Sequence, residues 1–278
     1  STYVYLGSKR KRWEFRLTNN DNPNDVTDPS FIWSLLKRWV TPSEAILERS
    51  TVYTFHSLIA EQWHRGRLLI AGDAAHQTPP FMGQGMCAGI RDVANLAWKM
   101  DRIINAKAPD KLLDTYQTER IPHVREFIEL TIQMGELINR TRNQVISSNA
   151  GSPDSGPQTL GQLKPLHGSG LTAGCPEHRG ELFPQPQLAN GKKLDDEIGS
   201  NSAVIIDYGL DMGNLSHLNK ITNSNIKVLQ DSSVDLKRWF RKSQVNAVLI
   251  RPDRYILGSA RNPSDLKGLI SEAIALGL

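Results

Sequence analysis

Cysteine is scarce: Cys87 and Cys175 are the only two, far apart and outside any C-x-x-C or metal-type spacing. A disulfide framework and a dithiol redox pair are thereby excluded, and a reducing, cytoplasmic setting is expected. Long apolar runs are lacking too. No stretch of about 18 apolar residues occurs, so no membrane-spanning helix is expected, and no signal-type segment opens the chain. Charge of one sign is weak: 33 basic against 29 acidic residues leave +4. That is too mild to argue for nucleic acid, and Lys9-Arg10-Lys11-Arg12 reads as a solvated edge. An initiator methionine is missing, and Ser1-Thr2-Tyr3-Val4-Tyr5-Leu6 reads as a strand already under way. Also missing is a G-x-G-x-x-G after a strand; Gly83-x-Gly85-x-x-x-Gly89 has the wrong spacing and opens no βαβ unit. The remaining totals are ordinary: 278 residues, 39% hydrophobic and 22% charged, as for one or two globular domains.

Residues 66–99 organise the chain. The apolar run Leu68-Leu69-Ile70-Ala71 ends at Gly72-Asp73 and reads as a buried strand. Asp73 then sits where the strand runs out, the place where open α/β sheets bind ligands. Pro79-Pro80 and Gly83-Gln84-Gly85 follow, and the glycines let backbone approach a planar ligand. A helix from Met86 to Ile104 would aim its unpaired N–H groups, with about half a positive charge, into that loop. Its stripe Ile90, Val93, Leu96, Ala97, Met100 is expected to face the core, with Arg91, Asp92, Lys99 and Asp101 outside or at the margin. Taken alone, Gly72-Asp73 favours a plain cap of the following turn; with Pro79-Pro80 and Gly83-x-Gly85 behind it, the balance goes to a cofactor contact.

Gly72-Asp73-Ala74-Ala75-His76, Pro79-Pro80, Gly83-Gln84-Gly85, Asp92 and Asn95-Leu96-Ala97-Trp98-Lys99 together resemble the second flavin-binding motif of the single-component FAD-dependent aromatic hydroxylases. The flanks Tyr53-Thr54-Phe55-His56, Tyr116 and Glu119-Arg120 agree. Many members have Asn where this chain has Cys87, so a contact there runs through backbone N–H rather than the side chain. The resemblance implies FAD held by Gly72, Asp73, Pro80, Gly83, Gln84, Gly85, Met86 and Cys87. It implies NADH or NADPH as co-substrate, O₂, and ortho-hydroxylation of a phenolic acid in aromatic catabolism. Arg49, Tyr53, His56 and Pro79 are the substrate candidates; the first three could equally be cross-strand pairs. No side chain is a secure catalytic base, and no metal ligand set is seen. In the family an earlier motif binds the ADP half of FAD. The expectation is therefore a C-terminal part, inactive alone, whose partner is the N-terminal half of the same protein; a homodimer stays open. Two alternatives also stay open: another flavoenzyme such as an epoxidase or reductase, or a non-catalytic half-protein serving oligomerisation.

The implied fold is α/β (α+β): the C-terminal part of an FAD-binding, Rossmann-like monooxygenase. Residues 1–60 would finish a substrate-binding sheet, and 61–146 would be the second part of the FAD-binding domain. Residues 147–186 would be a linker, and 187–278 a thioredoxin-like domain without its cysteine pair. Trp13, Phe15 and Leu17 alternate as on a half-buried strand, Phe31 to Trp39 reads as a short helix, and Ile46 to Phe55 as a strand. A helix from Asp110 is expected to break or kink at Pro122, and Glu119-Arg120 to be a surface ion pair. Ser147 to Pro157 has few residues that can pack. Beyond it, strands at 202–206, 226–229, 246–251 and 255–257 alternate with helices at 236–242 and after Ser264, and Arg251-Pro252-Asp253 is a hairpin turn.

Overall fold

A computed structural model describes residues 1–7, 9–18, 21–22, 25–147, 166–168, 170–207 and 225–278, without the side chains of 137–147. The chain divides into two compact units, Ser1–Thr54 and Phe55–Leu278.

In the first unit, β1 (Thr2–Tyr5) and β2 (Lys11–Glu14) pair antiparallel, with Tyr3 opposite Trp13 and their rings 5.3 Å apart. Trp13, Phe15 and Leu17 are half-buried between exposed neighbours, as their alternation requires. Helix α1 (Pro29–Leu36) begins where the Asp28 carboxylate accepts the N–H groups of Ser30 and Phe31, with proline at the first position. The strand expected over 46–55 does not form. Residues 46–57 pair with no strand among the described residues, and Ile46 is 90% exposed. An alternating pattern makes a strand only where a neighbour takes its N–H and C=O groups.

The second unit opens with short pieces: β3 (Leu58–Ile59), β4 (His64–Arg65), β5 (Leu68–Leu69) and β6 (His76–Gln77). β3 pairs with β6 and β4 with β5, both antiparallel. The buried strand expected at 68–71 is thus two residues long, and Leu68 is 75% exposed. One partner strand is too little to cover it. The chain is fixed instead by Tyr116, whose hydroxyl donates to the Ile70 carbonyl at 2.9 Å.

Helix α2 (Gly85–Ala106) reverses the expected sidedness. Asp92, Asn95, Trp98, Lys99 and Arg102 are buried, while Ile90 and Val93 are 60% and 56% exposed. Helix periodicity is present, but the polar stripe is the inner one. It is tolerated there because acceptors and donors from the facing elements meet it, as described below. Helix α3 (Asp114–Ser147) runs through Pro122 without a break. A strap around Gly168 packs at that turn, its N–H donating to the Glu119 carbonyl at 3.0 Å.

The rest of the second unit is a layered α/β structure. Its elements are α4 (Leu194–Ile198), β7 (Ser202–Ile206), β8 (Ile226–Gln230), α5 (Val234–Ser243), β9 (Ala247–Ile250), β10 (Ile256–Ala260) and α6 (Pro263–Ala275). The sheet order is β10-β9-β7-β8, with β7 and β8 parallel and the other neighbours antiparallel. β7, β9 and β10 are buried throughout. On one face Val204, Ile206 and Leu249 meet Leu266, Leu269 and Ile270 of α6, together with Trp98 and Leu112. On the other, Ile205, Val248 and Ile250 meet Leu194 of α4 and Leu236 and Phe240 of α5. Each such side chain contributes about 1.5–3 kcal/mol on burial. α6 is capped by Asn262, two residues before Ser264: its side chain accepts the Asp265 N–H at 3.0 Å. Of the expected linker, 148–165 lies outside the described residues. Its later part is packed: Leu171, Ala173 and Phe183 are buried, and Cys175 and Leu182 bridge to Ser259 and Tyr255.

Candidate functional site

The site is made of two tight turns and one helix end. The first turn, Gly72–Ala74, starts with Gly72 at φ +59°, the left-handed region that suits glycine. A Cβ placed on Gly89 of α2 would stand 3.3 Å from the Gly72 Cα, so turn and helix touch backbone to backbone. Asp73 is exposed, and no described residue hydrogen-bonds its carboxylate. The reading in which Asp73 caps the turn therefore finds no bond to support it. The second turn, Pro80–Met82, closes on Gly83 at φ +63°. Pro79 is buried and Pro80 exposed. α2 begins immediately after Gln84, and no side chain caps it. The N–H groups of Gly85, Met86 and Cys87 have no acceptor within the helix. Met86 is 76% exposed, and Cys87 is a half-buried free thiol.

Asp92 holds this arrangement from behind. Its Oδ2 accepts the Gly72 N–H at 3.1 Å and the His76 Nε2–H at 2.7 Å; its Oδ1 accepts Arg120 Nε–H at 2.8 Å. All three side chains are buried. Burial pushes the Asp92 carboxyl up, but the His76 hydrogen bond and the Arg120 charge outweigh it and hold the group below the usual carboxylate range. His76 stacks on Trp63, ring centres 5.5 Å apart.

A second buried cluster ties the helices to the C-terminal sheet. Glu119 Oε2 accepts from Lys99 Nζ at 2.7 Å and Asn95 Nδ2 at 2.8 Å. Its Oε1 accepts from Arg251 at 2.7 Å and from the Leu171 N–H at 3.0 Å. Asp253 accepts from Arg251 at 2.5 Å and from Asn95 and Trp98 at 3.1 Å each. Burial raises the Glu119 carboxyl, yet Arg251 and Lys99 together hold it far below the usual range. Burial lowers the Lys99 ammonium to about 8 against the pull of Glu119. The surface ion pair expected at Glu119-Arg120 is thus corrected: both are buried, and each bonds a different cluster. Neighbours on a helix point about 100° apart, so adjacency in sequence did not make them partners.

The structure brings Gly72, Asp73, Pro79, Pro80, Gly83, Gln84, Gly85, Met86 and Cys87 into one turn–turn–helix unit. Arg49 and Tyr53 belong to the first unit and His56 to the second; all three are exposed on chain without regular structure. Sequence reasoning missed the roles of Asp92, Asn95, Lys99, Arg251 and Asp253. A signal existed in the three-and-four spacing of Asp92, Asn95 and Lys99, which is as helical as the apolar stripe.

Residues 7–131 match a family described as FAD binding domain, and residues 212–275 one described as HcaD C-terminal domain. A probable NADH-specific resorcinol 4-hydroxylase of Rhodococcus jostii (strain RHA1) is 35% identical over 98% of this chain and 54% of its own length. A 3-(3-hydroxy-phenyl)propionate/3-hydroxycinnamic acid hydroxylase of Mycobacterium avium (strain 104) is 32% identical over 96% of this chain and 54% of its own length. The chain therefore spans about half the length of these curated relatives. A solved complex of aklavinone-11 hydroxylase with FAD and aklavinone shares the fold at a TM-score of 0.66 and 18% identity, over 91% of this chain and 52% of that one. Among the described residues no helix is long and apolar enough to cross a membrane.

Proposed function

We propose, for a chain that belongs to the FAD-dependent aromatic hydroxylases, that it holds the isoalloxazine and ribityl parts of FAD for an NAD(P)H-using monooxygenase. Its substrate is a phenolic aromatic acid of aromatic catabolism, hydroxylated ortho to the existing hydroxyl, as in a 3-(3-hydroxyphenyl)propionate hydroxylase. One observation carries the reading: Asp73, whose carboxylate has no hydrogen-bond partner among the described residues, stands on a turn packed against a helix that no described side chain caps. A polar cofactor fits that pair. Asp73 would accept hydrogen bonds from ribityl hydroxyls. The N–H groups at 85–87 would face the ring edge where negative charge develops on reduction. Gly83 and the prolines would keep the loop close to the ring plane. FAD when bound supplies the oxygen activation; these residues bind, orient and polarise.

On this reading, 1–60 contribute to the substrate sheet, 61–146 to the FAD-binding domain and 187–278 to a thioredoxin-like tail, in a cytoplasmic enzyme. Arg49, Tyr53, His56 and Pro79 are its substrate candidates. The ADP half of FAD is held by polypeptide beyond this chain, the half to which these residues are complementary. The test is Asp73→Ala in the complete enzyme. Each charge-assisted bond lost is worth about 1.5–3 kcal/mol, so FAD affinity should fall by about tenfold or more. Unchanged flavin after gel filtration sinks the cofactor role. NADH and NADPH oxidation across a panel of phenols, with catechol-type products identified by mass, tests the reaction; uncoupled oxidation with every phenol sinks it.

A further inference from the structure

Four side chains where α2, α3 and the β9–β10 turn meet carry polar atoms that are closed off from solvent and have no hydrogen-bond partner. They are Nη1 of Arg91 and of Arg120, Nδ1 of His123, and both ring nitrogens of His167. The residues form one group. Arg120, His123 and Phe127 follow at i, i+3 and i+7 on one face of α3. The Arg91 guanidinium stands 5.5 Å from the centre of the Phe127 ring, and the His123 ring lies 5.2 Å from the same centre. Arg120 Nη2 donates to the Ala88 carbonyl at 3.5 Å, about one turn before Arg91 on α2. His167, beside Gly168 in the strap, is 5.7 Å from His123 and 3.6 Å from Tyr255, ring centre to ring centre. The Tyr255 hydroxyl shares a hydrogen bond of 3.2 Å with His123 Nε2. Leaving such groups unmet in an interior is costly, and native proteins leave few of them so.

The charge around these atoms decides what meets them. Free imidazole nitrogens suggest a metal ion, but guanidinium groups flank these and both rings are neutral. Burial, and after it the Arg120 charge, pushes His123 down to about 2; burial and the Arg251 charge push His167 down to about 3. A cation is repelled there. Arg120 is balanced by Asp92, and Lys99 and Arg251 by Glu119 and Asp253. Arg91 has no carboxylate partner among the described residues, which leaves one positive charge over. Water would meet the N–H groups and leave that charge unbalanced; a monovalent anion does both. We propose that Arg91, Arg120, His123 and His167 enclose a binding site for a small monovalent anion of chloride size, held by two guanidinium edges and imidazole N–H. Rings 3.6 to 6.2 Å apart leave room for an ion and not for an organic acid. The ion stands behind Arg120, whose Nε–H holds Asp92, and so braces the carboxylate that takes the Gly72 N–H. No flavin contact is needed for it, so it stands whether or not FAD is held at Asp73.

The test uses the 278-residue chain and two probes, chloride and bromide. Thermal midpoints are measured at pH 7 and constant ionic strength while sodium chloride replaces sodium gluconate, whose anion is too large for the site. The variant is Arg91→Met, which keeps the stem and removes the charge. Arg238→Met is the control, an equal loss of charge on the exposed face of α5. In the unaltered chain and the control the midpoint should rise saturably with chloride, by about 2 °C or more. Arg91→Met should keep its circular dichroism and lose that rise. Crystals of the unaltered chain soaked in bromide should show an anomalous peak between the Arg91 and Arg120 guanidinium groups. Should Arg91→Met itself unfold, the rise and the bromide peak in the unaltered chain decide together. Equal midpoints in the two salts overturn the proposal, even beside a bromide peak, because that is binding at crystal concentration only. A rise that persists in Arg91→Met overturns it as well. So does the lack of an anomalous signal between the guanidinium groups, whether or not ordered water is found there.

Discussion

The C-terminal sheet and helix α2 lie in one unit and solve burial in opposite ways. In the sheet, β7, β9 and β10 are buried on both faces by apolar side chains, and α4, α5 and α6 cover them. In α2 the apolar side is open and the buried side is polar, with Asp92, Asn95, Trp98 and Lys99 hydrogen-bonded to Gly72, Glu119 and Asp253. The first arrangement is stable for non-directional reasons and tolerates small shifts. The second depends on geometry. Its hydrogen bonds fix the height and rotation of α2, and with them the place of the Gly85 N-terminus relative to Gly72 and Asp73. The two regions meet at Trp98, which belongs to the sheet's core through its ring and to the polar cluster through its N–H.

The sharpest way to break this contrast is Arg251→Met. It leaves Asp253 buried without a cation and Glu119 with Lys99 alone, and a loss of about 3–5 kcal/mol is expected in chemical denaturation. A loss under about 1 kcal/mol would mean the polar cluster is not what holds α2. Leu249→Ala should cost about 2–5 kcal/mol, because the residue is fully buried in the sheet. Acid should act on the polar region first. Asp92, Glu119 and Asp253 all have carboxyls held below their usual range; burial opposes this, and the partners outweigh it. Their contribution is complete above the unfolded values, near 4, and is lost as pH falls through the folded ones. Stability measured by denaturant should hold at neutral pH and drop steeply below about pH 4, with the protection of 92–102 going before that of 247–250. Lys99 acts with the same sign in an alkaline window. Its proton leaves the folded protein near 8 but the unfolded chain only near 10.5, so this group alone makes stability rise as pH climbs between those values. The smallest effect is expected from Ile90→Ser in the chain alone, within about 0.5 kcal/mol, because the side chain is already in water. A loss comparable to that of Leu249→Ala would show the side chain to be covered.

The C-terminal elements were legible because their apolar residues are both patterned and buried. The strands at 202–206 and 247–250 and the face Leu266, Leu269, Ile270, Ala273 lie within a residue or two of expectation. The turns at 72–74 and 80–83 were legible for a different reason. Gly72-Asp73, Pro79-Pro80 and Gly83-x-Gly85 are turn-forming residues, and the chain turns at Gly72–Ala74 and Pro80–Met82 with Gly83 at φ +63°; Gly85 is already helical. What failed was the step from periodicity to sidedness. The stripe at Ile90 and Val93 and the stripe at Asp92, Asn95 and Lys99 have the same period, and hydrophobicity chose the wrong one. Only partners at Glu119 and Asp253, 20 or more residues away, decide it. Extended runs at 46–55 and 68–71 failed likewise, because a strand is defined by a neighbour and not by its own residues.

The four charges at the junction of α2, α3 and the sheet cancel: Lys99 and Arg251 against Glu119 and Asp253. No member can be exchanged on its own without stranding an opposite in a dry interior. Related sequences that differ at Arg251 should therefore differ at Glu119 or Asp253 as well, and swaps between relatives should succeed only when the quartet moves together. What looks like four ordinary surface-type residues is inherited, on this argument, as one character.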